Sequence, residues 1–397
     1  MSSYKYSVYN SAKRGNNRRN NRSGGNNRRG EYINPARFIA IAKPTQALDY
    51  APKHNFEDFA VDPVIHRNLS AKGFITPSPI QDQTIPLGLA GRDVIGIANT
   101  GTGKTAAFAV PVIQALITNR DAKALIVAPT RELAQQIEDE CRSIGRGGGF
   151  TGAILIGGTG MGTQLRDLRA RPRLVIGTPG RIKDHMERGT LRLDSFNLVV
   201  LDEVDRMLDM GFLPDVSFIL KALSKERQSF FFSATMAPSV QSLIRTFSSN
   251  PETVSVKSGE SSDHVNQDVV RYATTHDKMD KLHDILIKEE VAKVIVFDET
   301  QRSVERLSNE LIARGFAADA IHGGKSQGQR QRALDSFKAN KTKVLVATDV
   351  AARGIDVVDI THVINYTQPQ SYQDYVHRIG RAGRAGRVGH ALTFVTH

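Results

Sequence analysis

The chain is expected to fold as two α/β domains in tandem, each built on a parallel sheet, behind a disordered basic N-terminal tail. Three observations predict this. From residue 92 onward, short and almost wholly apolar runs alternate with helical stretches, the pattern of strands covered on both faces by helices. The rhythm breaks once, around residues 251–268, where Ser258, Gly259, Ser261 and Ser262 make a polar interruption. Residues 1–54 carry eleven Lys and Arg against Glu31 and Asp49, so most of the net charge of +12 sits there.

The tail comes first. Residues 10–30 are nearly all Asn, Arg, Gly and Ser and could bury no core. Residues 1–30 contain no Leu, Ile or Phe to form an apolar helix face, which argues against an organellar leader. A basic arm of this kind suits a polyanion. The first domain is expected over 55–257, with strands at 93–98, 124–129, 153–156, 173–177, 198–201 and 229–232. A linker is expected over 258–266. The second domain is expected over 267–397, with strands at 292–297, 317–321, 343–348, 362–366 and 391–395. No apolar run approaches the roughly 20 residues that span a bilayer, so no membrane association is expected. The single cysteine, Cys141, excludes an intrachain disulfide and any multi-cysteine metal site, and it suits a reducing, cytoplasmic setting.

Two segments of the first domain carry chemistry. Residues 98–105, Ala-Asn-Thr-Gly-Thr-Gly-Lys-Thr, follow a strand and open a helix. Glycines there let the backbone bend so that the N–H groups of Thr100, Gly101, Thr102 and Gly103 can face phosphate oxygens. The helix N-terminus adds partial positive charge. Lys104 can reach the β- and γ-phosphates of a nucleotide, and the Thr105 hydroxyl can ligate Mg²⁺. Residues 197–205 form an apolar strand ending in Asp202, Glu203 and Asp205. Carboxylates at the carboxyl end of a strand sit where open α/β sheets bind ligands. Asp202 is the natural Mg²⁺ partner, and Glu203 can orient or deprotonate the attacking water.

With these segments, Pro129-Thr-Arg-Glu-Leu133, Thr178-Pro-Gly-Arg181, Ser233-Ala-Thr235, Thr348-Asp-Val-Ala-Ala-Arg-Gly-Ile-Asp356 and His377-Arg-Ile-Gly-Arg-Ala-Gly-Arg384 occur in the order found in DEAD-box RNA helicases. The chain resembles that family from about Phe56 to its end. The resemblance implies two RecA-like domains that close around ATP, Mg²⁺ and single-stranded RNA. It implies that Gln81 reads the adenine edge and that Phe56 stacks on the base, while Asp356 meets the ribose. Ser233 and Thr235 would bond Asp205 and couple hydrolysis to the rest of the molecule. Arg381 and Arg384 would act as arginine fingers. Pro129, Thr130, Arg131, Gly157, Gly158, Thr178, Pro179, Gly180 and Arg181 would line the RNA track, joined by Gln327, Arg330 and Thr348 from the second domain. Such backbone-directed contacts carry no sequence code. The expected partners are single-stranded RNA, short duplexes and RNA–protein complexes, met by a monomer, with the tail read as an RNA-binding arm. Two departures stand out: Val204 where the family usually has Ala, and Gly324 where many members have Asp. A DNA-acting relative, or an RNA-annealing scaffold with weak ATPase, remains open at this point.

Overall fold

The computed structural model describes residues 33–42, 50–99, 101–248, 250–256, 263–352, 357, 359–383 and 387–396. Strands β1 (Val94–Ile97), β2 (Ala124–Val127), β3 (Gly152–Leu155), β4 (Leu174–Gly177), β5 (Leu198–Leu201), β6 (Gln228–Ser233) and β7 (Glu252–Ser255) form one sheet, ordered β3-β4-β2-β5-β6-β1-β7. Strands β8 (Val265–Tyr272), β9 (Val294–Phe297), β10 (Ala318–Ile321), β11 (Val344–Ala347), β12 (His362–Asn365) and β13 (Gly389–Thr396) form the second, ordered β10-β11-β9-β12-β13-β8. Every pairing between these strands is parallel.

Alternation along each strand feeds two cores per domain. In β2, Ala124 and Ile126 join the core on one face, and Leu125 and Val127 join the other. In β9, Ile295 and Phe297 face one way, and Val294 and Val296 the other. Burial of both faces explains why these runs are almost wholly apolar. Cys141 is buried in the first core, where burial pushes its thiol well above the usual range. Among the described residues, no helix is long and apolar enough to cross a membrane.

Two expectations need correction. The polar interruption at 251–268 holds the whole of β7 and the start of β8. Both are outermost strands, half exposed, with mixed sequences (Glu-Thr-Val-Ser in β7) that break the apolar run. An edge strand has one neighbour and tolerates polar residues, so its pattern is weak. The second sheet therefore begins at Val265, inside the expected linker. The expected tail over 1–54 also includes folded residues. Residues 1–32 and 43–49 lie outside the described residues, but the segment 33–42 is folded onto the second domain. Asn34 caps a short turn of helix, Pro35–Phe38. Phe38 is fully buried with its ring centroid 4.7 Å from that of Tyr375, and Arg37 lies over Tyr372 at 3.8 Å. Ala40 pairs antiparallel with Gln267 of β8. Farther on, Asp82 accepts hydrogen bonds from the Tyr50 hydroxyl and the Lys53 N–H and contacts His54 Nδ1. A few well-placed apolar residues (Ile33, Phe38) sufficed to order a segment that composition marked as polar.

Candidate active site and nucleic-acid interface

Six loops leave the carboxyl edge of the first sheet, and strand order sorts them. β5, β6 and β1 are neighbours, so Asp202, Ser233 and the loop after Ile97 stand side by side. β3, β4 and β2 are neighbours too, which gathers Gly157, Thr178 and Thr130 farther along the same edge. The topology thus separates an expected nucleotide end from an expected RNA end.

At the nucleotide end, Gly101 and Gly103 have φ of 82° and 88°. A methyl group on Gly103 would lie 2.3 Å from Nε2 of Gln81, so the loop needs glycine there for conformation and for space. Gln81 Nε2 donates to the Gly103 carbonyl at 3.1 Å, and its Oε1 accepts from the Ser78 N–H at 2.8 Å. Ser78 Oγ donates to the Thr102 carbonyl at 2.7 Å. The segment expected to read adenine is therefore stitched to the phosphate loop. Its amide keeps one N–H and one lone pair for a ligand. Lys104 opens the helix Lys104–Thr118, with buried Nζ donating to the Ala98 carbonyl at 3.0 Å, and Thr105 follows it. Phe56 is 2% exposed, with Phe59 and Phe74 edge-on at 5.6 and 5.0 Å between ring centroids. Phe56 and Phe59 are buried and Phe74 is half-buried, so in this arrangement neighbouring rings cover Phe56. Thr100 lies outside the described residues.

β5 delivers Asp202 and Glu203, both buried. Glu203 takes a left-handed backbone, φ 53° and ψ 54°, and starts the helix Val204–Asp209. Its N–H donates to Asp202 Oδ1 at 2.9 Å. Burial pushes the Asp202 carboxyl up to about 6, with Lys104 opposing the rise. Burial would raise Glu203 as well, but Arg206, then Lys104 and Arg381, hold it down to about 2. Arg206 Nη1 donates directly to Glu203 Oε2. Adjacent carboxyls pushed apart in this way suit different chemical tasks. A buried carboxylate whose ionised form is short of partners is an oxygen ligand that a divalent cation would satisfy, so Asp202 fits Mg²⁺. Asp205 Oδ2 accepts from the Thr235 N–H at 2.8 Å and from its hydroxyl at 3.0 Å. The Asp205 N–H points to Ser233 Oγ at 3.4 Å, and that hydroxyl donates to the Thr235 carbonyl.

The second domain closes this end. Arg378 donates to both Asp349 oxygens at 2.6 and 2.7 Å and to the Thr367 carbonyl at 2.7 Å. This bidentate clamp fixes the end of the helix Tyr372–Ile379. Arg381 follows, 5% exposed, with Nε donating to the His377 carbonyl at 3.4 Å. It lines a small cavity together with Arg206. Beside it, Gln373 Nε2 donates to Asp209 Oδ2 at 3.0 Å, from one domain to the other. Arg384 and Asp356 lie outside the described residues.

At the RNA end, Arg330 Nη2 lies 2.7 Å from Glu132 Oε1 across the domains, with both side chains buried. Arg131 rests on Gly157 and Gly158: methyl groups there would lie 2.7 and 2.4 Å from its guanidinium nitrogens, and one on Gly158 would also reach Gln327 at 3.7 Å. So Arg131, Gly157, Gly158, Gln327 and Arg330 are brought together. Thr130, after Pro129, caps the helix Arg131–Ile144, its hydroxyl accepting from the Leu133 N–H. Thr178, the cap of helix Pro179–Glu187, precedes Pro179, Gly180 and Arg181. Arg181 sits 3.7 Å from Asp184, and its Nη1 is buried with no hydrogen-bond partner among the described residues. Thr348 ends up half-buried after β11, its carbonyl accepting from the N–H groups of Ala351 and Ala352.

Residues 78–244 match the DEAD/DEAH box helicase family, and residues 277–386 match the helicase conserved C-terminal domain. The chain is 44% identical over 344 residues to a DEAD-box ATP-dependent RNA helicase CshA of Bacillus licheniformis, covering 86% of this chain and 70% of that protein. It belongs to the DEAD-box RNA helicase family. A second relative, the ATP-dependent RNA helicase CshA of Limosilactobacillus reuteri, is 44% identical over 80% of this chain and 65% of its own. The chain thus spans about two thirds of the length of the curated relatives it matches. Among solved structures, S. cerevisiae Dbp5 bound to RNA and ADP BeF3 matches with a TM-score of 0.74, at 30% identity. The match covers 86% of this chain and 89% of that one.

Against the DEAD-box pattern, the two departures find structural accommodation. Val204 is fully buried and packs into the core that includes Leu201 and Met207. Gly324 donates its N–H to His322 Nδ1 at 3.2 Å, and a methyl group on it would lie 2.6 Å from Oε1 of Gln301. Gln301 thus occupies the space a larger residue would need. Sequence reasoning gave Arg206 and Arg378 no role of their own and took Glu132 only as part of the RNA-track segment Pro129–Leu133. Arg206 was within reach, because residues three apart at a helix start face each other. Glu132 needed the second domain to give it a partner.

Proposed function

We propose that this chain is an ATP-dependent RNA helicase that binds single-stranded RNA largely without sequence preference. It locally unwinds short duplexes or remodels RNA–protein complexes through ATP-driven domain closure. One observation carries the reading: strand order sets Asp202 and Glu203 beside the loop that leads into Lys104, and Arg381 of the second domain lines a small cavity with Arg206, the ion-pair partner of Glu203. The loop N–H groups and Lys104 bind phosphate oxygens, Gln81 orients the base, and Glu203 orients the attacking water and takes its proton. Arg381, joined by Arg384, stabilises charge on the transferring phosphoryl group. Mg²⁺, held by Thr105 and Asp202, would neutralise charge between phosphates. Asp356 meets the ribose. Asp205, Ser233 and Thr235 link the acidic strand to the neighbouring loop, so that occupancy of the nucleotide end is felt along the sheet. Residues of the RNA end grip sugar-phosphate once the domains meet. The Arg-rich stretch of residues 1–32 adds phosphate contacts, and the protein works as a cytoplasmic monomer.

Hydrolysis rates measured without nucleic acid, with single-stranded RNA and with single-stranded DNA test this. RNA should stimulate strongly and DNA far less; equal stimulation would favour a DNA-acting enzyme. Glu203→Gln should still bind ATP and RNA together while losing most hydrolysis, because an amide cannot take the proton.

A further inference from the structure

Arg206 has no place in the reading above, yet it sits between its two halves. It lies in the first turn of the helix Val204–Asp209, three residues after Glu203. Its side chain is 6% exposed and that of Glu203 is 8% exposed, and the two form a direct ion pair. Two details distinguish this pair from an ordinary helix-start contact. Glu203 holds a left-handed backbone at φ 53°, a conformation that a non-glycine residue keeps only when its surroundings over-determine it. Arg206 Nε is buried with no hydrogen-bond partner among the described residues, a cost that a pair selected for stability alone would not carry. On its far side, Arg206 lines the small interdomain cavity shared with Asp349, Asp374, His377, Arg378 and Arg381.

We propose that Arg206 is a positioning residue for ATP hydrolysis: it grips Oε2 of Glu203, leaves Oε1 to the attacking water, and presents that arrangement to the arginine of the second domain. This rests on the assignment of Glu203 above. The grip is charge-assisted and buried, so it fixes the carboxylate rotamer more firmly than an exposed pair would. A single Nη1 donor makes the contact, so its geometry depends on the reach of the planar guanidinium, which a more strongly hydrated ammonium does not reproduce. Small misplacements of a catalytic group are expensive, on the order of 10²-fold in rate for about 1 Å.

The test is single-turnover and steady-state hydrolysis by the RNA-bound full chain carrying Arg206→Gln, Arg206→Lys, Glu203→Gln and the double change Glu203→Gln with Arg206→Gln. Arg206→Gln should lower kcat by about 10²-fold, with KM for ATP within about twofold, since the phosphate loop is untouched. Arg206→Lys should recover roughly tenfold of that loss, through charge without planarity. The double variant should be no slower than Glu203→Gln alone, because a residue acting through Glu203 has nothing left to position. A folded Arg206 variant that keeps kcat within about twofold would overturn the proposal, as would an equal loss in the Glu203→Gln background. If Arg206→Gln does not fold, Arg206→Lys and its double with Glu203→Gln decide by the same two criteria. Retained hydrolysis in Glu203→Gln alone would instead remove the base assignment, a result separate from either outcome for Arg206.

Discussion

Among the described residues, two buried glutamate–arginine pairs stand one at each end of the domain interface, and they are made differently. Glu203 and Arg206 stand three residues apart at one helix start and pair within the first domain. Glu132 and Arg330 come from different domains and meet only because the two sheets present their carboxyl edges to each other. Their electrostatics differ accordingly. Glu203 is held far below the usual carboxylate range, burial being outweighed by three cations. Glu132 is raised by burial despite the opposing pull of Arg330. Arg131 is lowered by burial and by Arg330 nearby. Among the described residues, the nucleotide end is thus assembled mainly within one domain and approached from the other by Arg381. The expected RNA end starts from loops of the first sheet and gains its buried ion pair only from both domains together.

That contrast can be broken at its strongest point first. Arg381→Ala should lower RNA-stimulated hydrolysis by roughly 10³–10⁵, the range for an arginine finger, while ATP affinity falls only modestly. Equilibrium binding and stimulated turnover read the two quantities separately. Near-normal turnover would make Arg381 a buried structural contact and leave the nucleotide end working without it. Next, Arg330→Ala should disfavour the closed arrangement by about 3–5 kcal/mol, because Glu132 would remain buried without its partner. A fluorescence distance between the domains should show less closure with a non-hydrolysable ATP analogue. Adding Glu132→Ala should restore part of it by removing the stranded carboxylate. If the single and double variants close equally poorly, the pair is not what holds the edges together. The smallest effect belongs to residues 1–32, with eight Lys and Arg against Glu31. Their removal should flatten the dependence of RNA affinity on salt, through fewer released counterions. Turnover at saturating RNA should stay as it was. A changed turnover would tie this stretch to the nucleotide end as well.

Central strands were readable because both their faces are buried, so Leu-Val-Val-Leu in β5 or Val-Ile-Val-Phe in β9 leaves little alternative. β7 and the start of β8 escaped notice because edge positions relax that demand. The segment 33–42 escaped because its ordering depends on Phe38 finding Tyr375 and Ala40 finding Gln267, contacts with residues far along the chain. The packing of Phe56 has a related cause. An aromatic at a familiar spacing suggests a ligand, but Phe59 and Phe74 together enclose it.

What the sequence determined by itself is the local chemistry. A glycine-rich turn running into Lys104, an apolar strand ending in Asp202 and Glu203, and apolar alternation in each central strand are all satisfied within a few residues of chain. Tertiary structure alone decided which of these groups meet. Strand order β5-β6-β1 set the acidic motif beside the phosphate loop, and β3-β4-β2 drew the RNA-end glycines and Arg131 together. Apposition of the domains then supplied Arg381 to Glu203 and Arg330 to Glu132. The physical reason is range. Backbone conformation and strand burial are settled by neighbours along the chain. The charge state of a buried carboxylate is settled by whichever cation the fold carries to it.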